Sequence, residues 1–236
     1  MPTPIDLSTV VLATNNEHKV AELADILAPA GLTLLTLKQA GLRDAPEPVE
    51  DADTFLGNAL LKARAYATLA GKPCLADDSG LEVDALDGDP GVRSARFAAD
   101  EIGQAAFAAM PRAERDAANN AKLLRLMDAV PNDRRTARFV CAMALVLPPT
   151  ASKPDTAANA DADVLTTARG AFEGRLARHP RGEHGFGYDP LLVLTDPTDP
   201  LAGKHAAELT PEQKHARSHR GEAGRAIAAE LRRHRG

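Results

Sequence analysis

The chain has 236 residues, 44% of them hydrophobic and 26% charged, with a formal net charge of −5. That length supports a substantial core without disulfides, and an acidic balance with six Phe, two Tyr and no Trp speaks against a nucleic-acid-binding protein, which needs a basic face and stacking aromatics. No run approaches the roughly 18 apolar residues of a membrane span, and no basic-then-apolar leader is visible, so the expected setting is cytoplasmic, with Cys74 and Cys141 as reduced, buried thiols.

In chain order, Thr9–Ala13 is a β-branched, apolar run that predicts a buried strand. Thr14-Asn15-Asn16 follows with helix-capping chemistry. Val20, Leu23, Ala24 and Leu27 then recur at helical spacing until Pro29 and Gly31. Leu32–Leu37 predicts a second strand, and Arg43–Asp53 an acidic loop. Thr54 is placed to cap a helix with Leu56, Leu60, Ala63 and Ala67 on one stripe. Pro73–Ala76 reads as a short strand running into a polar turn at Asp77-Asp78-Ser79-Gly80. Asp100–Met127 reads as helix broken at Pro111. Thr136–Leu147 is the longest strand candidate and Val164–Phe172 its returning partner. Between them, a Pro-, Ala- and Asp-rich stretch at 148–161 reads as a flexible loop. Arg178–Asp189 is a Gly- and His-rich loop, Pro190–Leu194 a short strand, and Asp196–Gly203 a polar turn. Thr210-Pro211-Glu212-Gln213 has capping-box form and opens a helix to Arg235, with a break near Gly221. The pattern is α/β, read as a single domain over 1–236 with an N-terminal extension at 1–8.

Five segments can carry chemistry. At Thr14-Asn15-Asn16-Glu17-His18-Lys19 a strand ends and a helix begins. Free N–H groups and the helix dipole favour an anion there, and Lys19 can reach it; the P-loop glycine–lysine signature is absent. Taken alone, capping beside a surface lysine is the better reading. Asp77 and Asp78 are adjacent carboxylates whose repulsion a cation relieves, and oxygen ligands with retained waters suit Mg²⁺; a polar turn is an equal reading. The acidic loop with Glu47, Glu50 and Asp51 precedes Asn58 and Lys62, which helical spacing puts on one face; taken alone, a solvated surface is the better reading. Gly185-Phe186-Gly187-Tyr188-Asp189-Pro190 combines glycines that let the backbone approach a ligand with Phe186 as a stacking face and Asp189 as an acceptor; taken alone, a Gly-rich turn with a buried aromatic is the better reading. Lys214 and Ser218-His219-Arg220-Gly221 add cationic groups, and the Arg220 fork suits phosphate; taken alone, a basic helix face is the better reading. The histidines show no metal-triad spacing.

These segments stand in one order: Val10–Lys19, Thr54-Phe55-Leu56-Gly57-Asn58-Ala59, Leu61-Lys62-Ala63, Ala76–Leu81, Pro90–Arg96, Gly185–Pro190, Ala206–Leu209 and Ser218–Gly221. From about residue 10 to about residue 230 the chain closely resembles the inosine-triphosphate pyrophosphatase family, in particular the bacterial dITP/XTP pyrophosphatases. The resemblance implies an elongated, two-lobed α/β fold with a central mixed β-sheet flanked by helices and a cleft between the lobes. It also implies a homodimer, Mg²⁺, and conversion of dITP, ITP or XTP to the monophosphate and pyrophosphate. By position, it implies that Thr14, Asn15, Asn16, Glu17, His18 and Lys19 bind the triphosphate. Asp78 is implied as the proton acceptor and a metal ligand, with Glu50 on the metal side. Ser79 is implied as a substrate contact, and Phe186, Gly187, Tyr188, Asp189, Lys214, His219 and Arg220 as holding the nucleotide. Gly57 departs from the pattern, standing where the family often has Glu.

Residue chemistry agrees with that mechanism. Lys19, Lys62 and Arg220 can neutralise phosphate charge, Asp78 can deprotonate a water, and Asp77 can complete a metal shell or hold Asp78 in place. Selectivity is expected from donors to the purine 6-oxo group, His219 among them. Two alternatives stand beside this reading. One is a Maf-type pyrophosphatase acting on pyrimidine or modified nucleotides, and the other a non-catalytic nucleotide sensor.

Overall fold

A computed structural model describes residues 7–149 and 163–235. The 148–161 loop and the 1–8 extension fall almost entirely outside them. In chain order the elements are β1 (Thr9–Leu12), α1 (Glu17–Leu27), β2 (Thr33–Thr36), α2 (Phe55–Ala70), β3 (Cys74–Val83), α3 (Ala99–Ile102) and α4 (Gln104–Ala109). They continue with α5 (Arg112–Leu126), β4 (Thr136–Val146), β5 (Val164–Leu176), β6 (Leu192–Val193), α6 (Pro211–Arg217) and α7 (His219–Arg235). The strands form a mixed sheet in the order β2-β1-β3-β4-β5-β6. β1 runs parallel to both β2 and β3, and β6 is antiparallel to β5.

Contacts gather into two units, Met1–Asp78 with Cys141–Gly170 and His219–Gly236, and Ser79–Val140 with Ala171–Ser218. β3, β4 and β5 each contribute residues to both units. The chain therefore passes between units inside strands, which is why the sequence shows no linker.

In the first unit, period-two alternation sorts strand residues onto two faces. Val10, Leu12, Leu75, Cys141, Met143 and Leu145 pack with Leu23 and Leu27 of α1 and with Ala223, Ile227 and Leu231 of α7. Val11, Ala13, Cys74, Ala76, Ala144 and Val146 pack with Ala59, Ala63, Tyr66 and Ala67 of α2. Each fully buried Leu or Val contributes about 1.5–3 kcal/mol. Gly224 brings α7 close to α1, since a Cβ there would meet Ile26 Cγ2 at 2.5 Å. In the second unit, Leu81 and Val83 of β3 join Leu123, Phe139, Phe172, Tyr188 and Leu192 in a separate core.

Four expectations need correction. β3 does not end at Ala76; it runs for 10 residues through Asp77, Asp78, Ser79 and Gly80. The buried face of α2 is Phe55, Asn58, Ala59, Ala63, Tyr66 and Ala67, whereas Leu56 is 38% exposed. The 100–127 helix breaks at Gly103, at φ +96°, as well as at Pro111. The last break falls at Ser218, whose ψ of 151° turns the chain between α6 and α7, and Gly221 lies inside α7. The capping box at Thr210 and Gln213 is present, both side chains accepting from backbone N–H groups.

Candidate active site

Because Asp77 and Asp78 are consecutive in a strand, their side chains leave on opposite faces of the sheet. Asp77 continues the row of Leu75 and meets α1 and α7. It is 2% exposed. Lys19 Nζ lies 3.0 Å from its Oδ2, and Arg220 Nε and Nη2 donate to the same oxygen at 3.2 and 3.1 Å. Cys141 Sγ donates to it at 3.8 Å. Arg220, also 2% exposed, donates from Nη1 to Glu22. Burial alone would raise the Asp77 carboxyl, but Lys19, Arg220 and Lys62 hold it well below the usual carboxylate range. Burial would lower Arg220, and Asp77, Cys141 and Glu22 outweigh it. Arg220, expected to grip phosphate, instead closes its fork on Asp77 and Glu22.

Asp78 continues the row of Cys74 and Ala76 and meets α2. Its Oδ2 accepts from Asn58 Nδ2 at 3.1 Å, and its Oδ1 is 3.6 Å from Lys62 Nζ. Asn58 is held at its other end, Oδ1 accepting the Ala52 N–H at 3.0 Å. Lys62 is shared, with Glu50 Oε2 at 3.2 Å. Burial pushes Asp78 above the usual carboxylate range, against the pull of Lys62, Lys19 and Asn58, and Glu50 pushes it further the same way. Burial would lower Lys62, but Asp78, Asp77 and Glu50 raise it. Neighbouring carboxylates are thus driven in opposite directions: Asp77 is a fixed anion and Asp78 a more basic group.

The turn before α1 is ordered by its own side chains. Asn16 N–H donates to Thr14 Oγ1 at 3.1 Å, and the Asn16 side chain caps α1 by accepting the His18 N–H at 3.1 Å. Asn15 Nδ2 donates to Glu47 Oε1 at 3.4 Å. Together with Lys19, Glu50, Lys62 and Tyr66, Thr14, Asn15 and Asn16 line a cavity of about 170 Å³. Asp78 does not line this cavity; Lys62, 3.6 Å from it, does. Glu17 faces a second cavity, of about 540 Å³, with Thr14, Asn15, Lys38 and Arg43. His18 is exposed and serves the turn through its backbone N–H.

The remaining predicted residues, Ser79 and the Phe186–Lys214 group, lie in the second unit; His219 opens α7 in the first, buried at 7% exposure. Ser79 is half-buried in β3. The Phe186 ring is flanked by cations, with Arg112 Cζ 4.8 Å and Lys214 Nζ 5.1 Å from its centroid. Asp189 Oδ2 accepts from Lys214 Nζ at 2.6 Å and from the Phe186 N–H at 2.8 Å. Gly185 sits at φ +80°, where a Cβ would meet that same Oδ2 at 2.1 Å. Gly187 is fixed by Asp116 and Asn120, through its N–H and its carbonyl. Asp189, expected as an acceptor for the base, fastens its own loop and Lys214. Tyr188 belongs to the core, 4% exposed, its hydroxyl donating to the Ser94 carbonyl at 2.9 Å.

Glu50 and Asp78 converge on one cationic point, the Lys62 ammonium. Among the described residues no group of three His, Cys, Asp or Glu side chains is disposed to hold an ion. Two hard oxygen donors suit a cation that keeps most of its shell as water and substrate oxygens. Asp77 Oδ1 is buried without a hydrogen-bond partner, but its other oxygen is taken by Lys19 and Arg220. Asn58, which the sequence places beside Lys62 without a role, and Glu22, which it does not single out, both join the site. Asn58 had a signal, a polar residue in the buried phase of α2; Glu22 looks like any exposed-face acid of α1.

The Ham1 family profile matches residues 10–230. A dITP/XTP pyrophosphatase of Nitratidesulfovibrio vulgaris is 48% identical over 220 residues, covering 93% of this chain and 94% of the relative. One from Frankia alni is 46% identical over 94% of this chain and 96% of the relative. Among solved structures, a HAM1 protein from Coxiella burnetii superposes with a TM-score of 0.74 at 34% identity, over 94% of this chain and 98% of that one.

Proposed function

The chain belongs to the Ham1 family, and from that premise we propose that it hydrolyses non-canonical purine nucleoside triphosphates, dITP, ITP and XTP, to the monophosphate and pyrophosphate. The observation that carries the mechanism is Asp78. It is a half-buried carboxylate of raised basicity, oriented by Asn58 and set against Lys62. Asp78 accepts the proton of the attacking water. Lys19 and Lys62 meet the negative charge of the phosphate chain, and the N–H groups of the Thr14–Lys19 turn add to it. Asp77, with Arg220 and Glu22 behind it, holds Lys19 in position. In the second unit, Phe186 offers a ring face for the purine, with Lys214 held beside it by Asp189.

Mg²⁺ is the proposed cofactor, held by Glu50 and Asp78; when bound it neutralises phosphate charge and lowers the pKa of coordinated water. Asp77 is the weakest of the three metal assignments, because Lys19 and Arg220 already neutralise it. A homodimer in the cytoplasm completes the proposal. Among the described residues no helix is long and apolar enough to cross a membrane. Ham1 membership speaks against the Maf-type alternative, and a base of raised pKa speaks against a sensor, which needs none. The test is turnover of purified protein with Mg²⁺ on dITP, ITP, XTP and the common nucleotides, scoring pyrophosphate apart from orthophosphate. Pyrophosphate from the non-canonical purines is expected; orthophosphate, or equal turnover of all nucleotides, would refute the proposal.

A further inference from the structure

The second unit carries a pocket that the proposed reaction does not use. Its volume is about 320 Å³, and Arg175, Arg178, His179, Arg181 and His205 line it with no carboxylate side chain in the wall. Arg175 stands near the end of β5, opposite Val193, and Arg178, His179 and Arg181 follow in the exposed loop after it. Behind the pocket lies Arg135, 2% exposed. Its guanidinium donates to the backbone carbonyls of Leu176, Ala177, Met127 and Val130 and to no carboxylate. Burial pulls Arg135 below the usual guanidinium range, Arg178 and Arg175 push it the same way, and exposed Asp128 opposes them. His205 forms another wall, 5% exposed. Its Nδ1 lies 2.7 Å from the Pro190 carbonyl, which can only accept, so that nitrogen carries the proton and Nε2 is the ring edge left for the pocket. In a chain of net charge −5, this is a local reversal of sign.

We propose that this pocket binds an oligophosphate anion. Guanidinium forks match phosphate oxygens in pairs, and Arg175 and Arg181 present two of them to one concavity, beside Arg178, which adds its charge while its own guanidinium is held by the Asn132 side chain and the Asp128 and Val130 carbonyls. The lining residues include no Phe or Tyr, so the pocket selects the phosphate chain and not a stacked base. Bound negative charge also relieves the mutual repulsion of Arg135, Arg175 and Arg178. The site is independent of the reaction assigned to Asp78.

Inorganic pyrophosphate in magnesium-free, low-salt buffer is the probe, titrated calorimetrically into the full chain. A Lys19→Ala/Lys62→Ala variant, disabled at the phosphate-binding lysines of the first unit, is expected to keep one pyrophosphate site. Adding Arg175→Ala and Arg181→Ala is expected to weaken that site at least about tenfold, or about 1.4 kcal/mol. Orthophosphate is expected to bind more weakly than pyrophosphate. In the unmodified chain, the ring resonances of His179, assigned with His179→Gln, are expected to move during the titration; this arm does not need the lysine variant to fold. Affinity unchanged by the arginine pair, equal affinity for orthophosphate, or unmoved His179 resonances would overturn the proposal.

Discussion

Asp77 and Asp78 carry the same side chain on consecutive residues and differ in which face of β3 they leave. Asp77 finds Lys19 and Arg220, which more than offset its burial. Asp78 finds Lys62 at a longer 3.6 Å and one amide donor, which do not. The base is therefore the less satisfied acid, the usual way of placing a general base nearer its working pH. Asp78→Asn keeps the shape and the Asn58 side of the network, so nucleotide binding should persist while kcat falls about 10²–10⁴-fold. Unchanged kcat would remove Asp78 from its role. In the magnesium-free protein the Asn58 hydrogen bond lowers the raised pKa of Asp78 and Glu50 raises it further. Asn58→Ala should therefore move the Asp78 carboxyl titration, followed by NMR without magnesium, to higher pH, and Glu50→Gln to lower pH. A titration that stays put in both variants would belong to another group.

At the scale of the element, β3 was the hardest to read. Asp-Asp-Ser-Gly is turn chemistry by local propensity, yet it lies in the middle of a strand. The cations supplied by α1, α2 and α7 override that propensity, and those helices are distant in sequence. The other strands and most helix starts were legible, because their signals are local: β-branched runs, and the Asn16, Thr54 and Thr210 caps. The expected stripe of α2 holds at Ala63 and Ala67 and fails at its first turn, where Leu56 is exposed and the polar Asn58 is buried at 1% exposure. Such a buried ionic knot is expensive to break from one side. Asp77→Asn would leave Lys19 and Arg220 facing each other, and should destabilise the fold by about 3–5 kcal/mol at neutral pH, measured by urea unfolding. The folded pKa of Asp77 is depressed, so its stabilisation is present above the unfolded carboxylate pKa and is lost as pH falls through the folded value. The gap between parent and variant should therefore narrow in acid, and a gap constant with pH would argue against an ionic origin.

At the scale of the whole chain, the α/β class and the order of motifs could be read from residues alone. The partition into two interleaved units could not, because it depends on which strand halves pack together. The same limit applied to the cations. Lys19, Lys62, Lys214 and Arg220 were all visible as charges, but only the fold shows that each is paired with a carboxylate, and that Lys19 and Lys62 also line a cavity beside the Thr14–Asn16 turn. That pairing bears on the metal. Lys62 already lies against Glu50 and Asp78, so the carboxylates do not depend on a divalent cation to fold. EDTA should therefore leave the thermal midpoint of the nucleotide-free protein within about 1 °C, a shift worth only a few tenths of a kcal/mol. The same chelation should abolish turnover, because the triphosphate charge then exceeds what two lysines can neutralise. With a non-hydrolysed triphosphate analogue present, Mg²⁺ should raise the midpoint, since it binds as part of the ligand and stabilises only the folded state. A large loss of stability on chelation without nucleotide would mean that the ion is structural, and that Glu50 and Asp78 hold it in preference to Lys62.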